Sequence, residues 1–183
     1  MKMRTCLIVL ALLLGAAAHG ASQSLNAAFQ RSTVLMTFDA SLGRTVRATG
    51  VLIFRPTTGD QGQLLLVTTR DSVPVDGNGA KSLRLRVVVG PVDQPVVRLL
   101  EIPVCGKDGR YLPTVFLHPT PSVDLVAVNV TEAIVRDGIA NSWLHADLLA
   151  TPKRIKDEGI APGDGVFVLG YPDYLTDTRN ASP

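Results

Sequence analysis

The chain has 183 residues, 46% of them hydrophobic and 19% charged, a balance that suits a globular protein and excludes a disordered one. Its length holds one domain or two small barrels, and with aromatics at only 5% any core has to be built from Val, Leu and Ile. The formal charge of +2 comes from 18 basic against 16 acidic residues, and it depends on how the N-terminus is read.

Residues 1–20 have the pattern of a secretory signal. Lys2 and Arg4 supply the positive start, Cys6 to Leu14 an apolar run, and Ala16-Ala17-Ala18-His19-Gly20 a small-residue exit. The apolar run falls short of the roughly 20 residues that cross a bilayer, and no later segment is long and apolar enough to span. Removal of Lys2 and Arg4 leaves 16 basic against 16 acidic residues. A chain with no net positive field and no basic cluster interleaved with aromatics is a poor partner for nucleic acid. Cleavage also removes Cys6, so Cys105 is then alone and no intramolecular disulfide forms. The expected address is secreted or periplasmic, with no membrane span after cleavage.

Ser22 to Ala28 is a polar lead-in. Thr33 to Phe38 is the first expected strand, turning at Ser41-Leu42-Gly43. Arg44 to Arg55 begins with Val46 and Ala48 on one face and Thr45, Arg47 and Thr49 on the other, then passes Gly50 into Val51-Leu52-Ile53-Phe54. A glycine inside a strand marks a bend or a close backbone approach. Leu64-Leu65-Leu66-Val67 reads as a strand buried on both faces that stops at the polar corner Thr69-Arg70-Asp71-Ser72, ahead of Pro74. Asp71 fits a turn cap there, accepting an N–H near Val73. Asp76-Gly77-Asn78-Gly79 is a turn signal.

Ser82 to Val89 is the clearest amphipathic strand, with Leu83, Leu85 and Val87 inward and Arg84 and Arg86 on a solvated face. Val96 to Ile102, Val115 to Leu117 and Leu125 to Val130 complete about six strands. Short strands with turn signals between them predict an all-β barrel or sandwich. Beyond Val130 the character changes. Thr131 to Arg136 and Ile155 to Glu158 suit short helical turns, the second stopped by Gly159. Trp143 is placed to pack this connector on the sheet, and Val166-Phe167-Val168-Leu169 is expected to open a second sheet.

Four stretches follow one another as landmarks: Thr49-Gly50-Val51-Leu52-Ile53, Leu65 through Val73, Asp124-Leu125-Val126-Ala127-Val128, and Gly163 through Pro172. In order and spacing they resemble the trypsin-like serine peptidases, most closely the bacterial secreted kind, over residues 28–183. The resemblance implies a chymotrypsin-like antiparallel fold. A first β-barrel would span 28–135, a connector 136–163, and the beginning of a second barrel 164–183. It puts Asp124 at the position of the orienting carboxylate and Asp71 where the family has its general-base histidine. The family's nucleophilic serine, in a Gly-x-Ser-Gly context, would lie beyond Pro183, which reads as a fragment of a longer product.

A peptidase base takes a proton from serine and returns it to the leaving amine, which imidazole, with a reference value of about 6.5, does near neutrality. A carboxylate at about 3.9 is a far poorer base. His118 and His145, the histidines left after cleavage, stand in an ordinary loop and in the connector, and neither has metal-ligand spacing. Ser72 is not in a nucleophile-elbow context, and Asp71-Ser72-Val73 lacks the aspartic-peptidase pattern. No cofactor or metal is implied. The expected function is a peptidase homologue that does not cleave. The alternatives are a serine endopeptidase known only in part and a secreted module that binds a polypeptide or protein partner.

Overall fold

The computed structural model describes residues 28–40, 45–58, 61–74, 81–91, 93–139, 143–166 and 168–171. The signal-like segment 1–20 and the turns at Ser41-Leu42-Gly43 and Asp76-Gly77-Asn78-Gly79 lie outside them. The protein is mostly antiparallel β-sheet with a few short helices, as the strand spacing predicts. Its strands are β1 (Thr33–Asp39), β2 (Thr45–Pro56), β3 (Gly62–Thr68), β4 (Ser82–Val89), β5 (Val96–Pro103), β6 (Val115–Leu117), β7 (Val126–Asn129) and β8 (Leu144–His145). Two six-residue helices follow β7 and β8, α1 (Thr131–Arg136) and α2 (Pro152–Asp157). Residues 28–32 are helical, starting where the expected polar lead-in of Ser22 to Ala28 ends.

The strands order as β5-β4-β1-β2-β3-β7-β6, with β8 beside β2. Val34, Met36 and Phe38 of β1, Leu52 of β2, Leu66 of β3, Leu83, Leu85 and Val87 of β4, Leu100 and Ile102 of β5, and Val126 and Val128 of β7 all enter one buried cluster. Both halves of the strand order feed the same core, so the sheet curls around it. Among the described residues β5 and β6, at the two ends of the order, do not pair with each other. The alternation predicted for β4 follows from this curl, because only its inner face is dry: Arg84 is exposed and bridges Asp39 at 2.6 Å.

β3 is flanked on both sides, by β2 over Val51↔Val67 to Pro56↔Gly62 and by β7 over Leu65↔Asn129 to Thr68↔Val126. Its edges are thereby satisfied, but burial alternates along it, with Leu64 and Leu66 buried and Leu65 and Val67 half-buried. β3 is therefore not covered on both faces as its continuous apolar run suggested. Gly50 is the close approach its position in a strand suggested. A Cβ there would meet Leu66 Cδ1 at 2.5 Å and Met36 Sδ at 2.6 Å, and both of those side chains are fully buried.

β2 outruns β1. The β1 ladder ends at Thr33↔Val51, and the vacated side of β2 is taken by β8, parallel, at Ile53↔Leu144 and Phe54↔His145. Trp143 sets its ring 6.1 Å from that of Phe54, so the connector packs on the sheet at this point. α2 is capped as its sequence dictates. Thr151 Oγ1 accepts from Arg154 N at 3.2 Å, Pro152 opens the first turn, and Gly159 leaves it at φ 66°.

The end of the chain differs from expectation. None of the described residues of 164–171 lies in a strand, and Val166 and Val168 are 83% and 90% exposed. An apolar run becomes a strand only beside another that accepts its backbone groups, and among the described residues none lies there. The segment instead docks by its end: Tyr171 is buried, and its N–H donates to Thr49 Oγ1 at 2.8 Å.

Filling the space at Gly50 is expected to strain β1 against β3. Gly50→Ala should lower unfolding stability by about 1–3 kcal/mol in urea titrations, and Leu66→Ala in the same chain should relieve part of that cost. A change in Gly50→Ala indistinguishable from zero would show that the close packing is absent.

Candidate functional site

The corner after β3 forms because the ladder cannot continue through it. Thr68 ends β3 with its hydroxyl donating to Thr49 O at 2.8 Å, and Arg70–Ser72 then closes a single 3-10 turn, with Ser72 N and Val73 N donating to Thr69 O and Arg70 O. The backbone thus satisfies itself, and Asp71 is not the N–H cap that its place suggested. Its Oδ1 accepts from the Thr69 hydroxyl at 2.7 Å, and the Ser72 hydroxyl stands 3.4 Å away. Thr69 and Ser72 share a further bond of 2.6 Å. With the Thr69 proton on Asp71, that bond is donated by Ser72. The short bond of Ser72 is therefore to another hydroxyl, its contact with the Asp71 carboxylate being the longer one, and Asp71 itself is exposed.

Asp124 lies on the short lead into β7 and reaches the same corner. Its Oδ1 accepts from Arg70 N at 2.7 Å, across 54 positions of sequence. The pairing of β3 with β7, which ends at Thr68↔Val126, carries the carboxylate there. The structure thus sets the Asp124 carboxylate against the residue just before Asp71, bound to backbone rather than to another side chain.

Neither histidine is placed as a base at Asp71. His118 Nδ1 accepts from Thr120 N at 3.1 Å, which leaves the ring proton on Nε2 and ties the ring to its own loop. His145 sits on β8 beside Phe54, at the opposite end of β3, with Nδ1 3.0 Å from Asp147 Oδ2. No cluster of three or more His, Cys, Asp or Glu side chains that could hold a metal occurs among the described residues.

Arg70 is the residue the sequence did not single out. Besides its N–H bond to Asp124, its Nη2 donates to His118 O at 3.2 Å, pinning the loop between β6 and β7 to the corner. Its Nε is buried without a hydrogen-bond partner, as is the Tyr111 hydroxyl. Nothing in the local pattern marks an arginine at a strand end as different from a solvated one. Tyr111 titrates above its ordinary value, chiefly because burial disfavours the phenolate, with Cys105 adding to the shift and Arg70 opposing it. Cys105 is buried with its Sγ 3.6 Å from Pro74 O, a small core residue closing the underside of the corner.

Four sequence-distant segments therefore meet at one end of the sheet: Thr49-Gly50, the corner 68–73, Asp124 to Val126, and Gly170-Tyr171. Among the described residues no helix is long and apolar enough to cross a membrane. No protein-family model, no curated protein and no solved structure matches the chain.

Two outcomes test this geometry. Asp124→Ala should cost about 0.5–1.5 kcal/mol, the worth of one exposed hydrogen bond, and should speed hydrogen exchange at the Arg70 amide. Asp124→Asn, which keeps an acceptor oxygen, should do neither to the same extent. Unchanged Arg70 exchange in the alanine variant would show that the carboxylate does not hold the turn.

Tyr111 gives a pH dependence. A phenol whose value in the folded state is raised contributes stability that is complete below the unfolded value of about 10 and lost as pH rises through the folded one. Tyr111→Phe should leave stability at pH 7 unchanged or slightly higher, since it removes a buried hydroxyl without a partner. It should also shrink the loss measured above pH 10 in urea titrations, where Tyr171, raised by its own burial, continues to contribute. A steeper alkaline loss in the phenylalanine variant would contradict the assignment.

Proposed function

We propose that the chain is a trypsin-like serine peptidase homologue that does not cleave, secreted or periplasmic after loss of residues 1–20. On this reading residues 28–135 make a first barrel, 136–163 the connector and 164–183 the beginning of a second. The observation that carries the reading is the bond from Arg70 N to Asp124 Oδ1, which brings the proposed orienting carboxylate to the residue preceding the proposed base position. The docking of Tyr171 on Thr49, beside the closely packed Gly50, supports it, because it joins the remaining two landmarks to the same corner.

The proposed lack of activity follows from Asp71. Acyl transfer by a serine needs a group that accepts the hydroxyl proton and then gives it to the leaving amine. Asp71 is a carboxylate already engaged by the Thr69 hydroxyl, and Asp124 is committed to a backbone N–H. The other hydroxyl beside Asp71, that of Ser72, is bonded to Thr69. The corner keeps the shape of a catalytic constellation with its proton shuttle replaced.

Four proteins test the reading: the chain alone, and the chain followed by a trypsin-like C-terminal half bearing Gly-x-Ser-Gly, each with Asp71 kept or changed by Asp71→His. Loss of triad members costs on the order of a million-fold in turnover and the losses are not additive. Only the extended Asp71→His protein should hydrolyse peptides and react with a serine-directed phosphonate. Labelling of the short unsubstituted chain would mean a different nucleophile. Hydrolysis by the extended chain with Asp71 kept would mean that a carboxylate or His118 serves as base.

A further inference from the structure

The two ends of the sheet differ in how they meet solvent. β6 is three residues long, short enough to offer little to another strand. β5 runs eight residues, contains no lysine and has proline only at its last position. Among the described residues it pairs with β4 alone. A strand bonded on one side presents its remaining N–H and C=O groups as a row, and proteins ordinarily blunt such a row with lysine, an internal proline, a bulge or a cover.

The side chains of β5 reinforce that offer. Leu100 and Ile102 face the core, so alternation puts Val97, Leu99 and Glu101 on the outer face and Arg98 on the other. Val96, Val97 and Leu99 are exposed, Leu99 to 72%. The β4–β5 register sets Arg86 directly beside Leu99. The acidic groups nearby are already engaged. Asp39 bridges Arg84, Glu101 accepts from the Ser82 hydroxyl at 2.6 Å, and Asp137, which lines a cavity of about 200 Å³ with Arg98, is bound by Arg136. Arg86 thus sets a positive charge directly beside Leu99 on the outer face, and Arg98 sets one on the other face, where Asp137 is already paired. Glu101 keeps its negative charge two positions along the outer face. A second copy pairing antiparallel about Leu99 would place the two Arg98 side chains diagonally on one face, where like charges repel.

We propose that β5 is the docking edge for an extended polypeptide strand with an apolar residue opposite Leu99 and a carboxylate at the adjacent position, opposite Arg98. The ladder supplies the affinity and these two positions the choice of sequence. The proposal rests on β5 alone and is independent of any role for Asp71 or Asp124.

The test uses the 183-residue chain and synthetic peptides of about ten residues, a length that covers the strand. The probe alternates valine and glutamate. One control carries lysine for glutamate, and a second pair carries N-methyl groups at alternate backbone positions in either phase. Binding is read by fluorescence anisotropy and by amide exchange along β5. The valine–glutamate peptide should bind and slow exchange in β5, and the lysine peptide should be weaker. The one N-methylated peptide whose methyl groups replace the N–H groups facing β5 should also be weaker, while the opposite phase should still bind. Leu99→Lys should weaken binding roughly tenfold, the scale of one lost apolar contact. Arg98→Glu should reverse the preference between the glutamate and lysine peptides. Both positions are exposed, so the variants should keep the parent circular dichroism. Equal binding of the N-methylated peptides would overturn the proposal, as would β5 amides as protected as those of β4 in the free chain. Concentration-dependent dimerisation lost in Leu99→Lys would replace the peptide with a second copy and overturn it as well.

Discussion

The contact on which the rest of the structure depends is the one that Gly50 permits. Met36 of β1 and Leu66 of β3 close over the position where any other residue would put a Cβ, and both are fully buried. This locks three strands in register, because a slip of one residue would turn every inward side chain of β3 to the opposite face. Thr49, immediately before it, then has a fixed place. Its carbonyl receives the Thr68 hydroxyl and its own hydroxyl receives Tyr171 N. The end of β3 and the distant segment at Tyr171 are thus both referred to one rigid pair of residues.

From that anchor the corner at 69–72 is built outward. Thr68 stops the ladder, the 3-10 turn absorbs the reversal, and Asp124 arrives from β7 to take the Arg70 N–H. Every hydrogen bond at the corner consolidates the turn. The hydroxyls of Thr69 and Ser72 are spent on each other and on Asp71, and the Arg70 side chain is spent on the His118 carbonyl. The Asp71 carboxylate is engaged by hydroxyls and Asp124 by backbone, and the proposed absence of cleavage starts from that engagement.

How much of this was legible in the sequence depended on where water lies. β4 was readable because its two faces differ: Leu83, Leu85 and Val87 alternate with Arg84 and Arg86. β3 was readable from its unbroken apolar run between polar ends. β8 was not, since Leu144-His145 is too short to show a period, and its pairing depends on β2 outrunning β1. Val166 and Val168 have the composition of a strand, but composition does not supply a neighbour. At the corner, Asp124 was singled out through the resemblance alone, and the structure shows it bound to Arg70 N. Arg70 was missed because its role lies partly in its backbone N–H, which every residue but proline has.

The central claim is that Asp124 is committed to the backbone of the corner. It is tested most directly by a through-hydrogen-bond scalar coupling between the Arg70 amide nitrogen and the Asp124 side-chain carboxyl carbon, measured by NMR on uniformly labelled protein. The account predicts a resolved coupling at that pair and a strongly protected Arg70 amide. A well-resolved spectrum with no such coupling, and an Arg70 amide that exchanges as fast as an exposed loop, would contradict it.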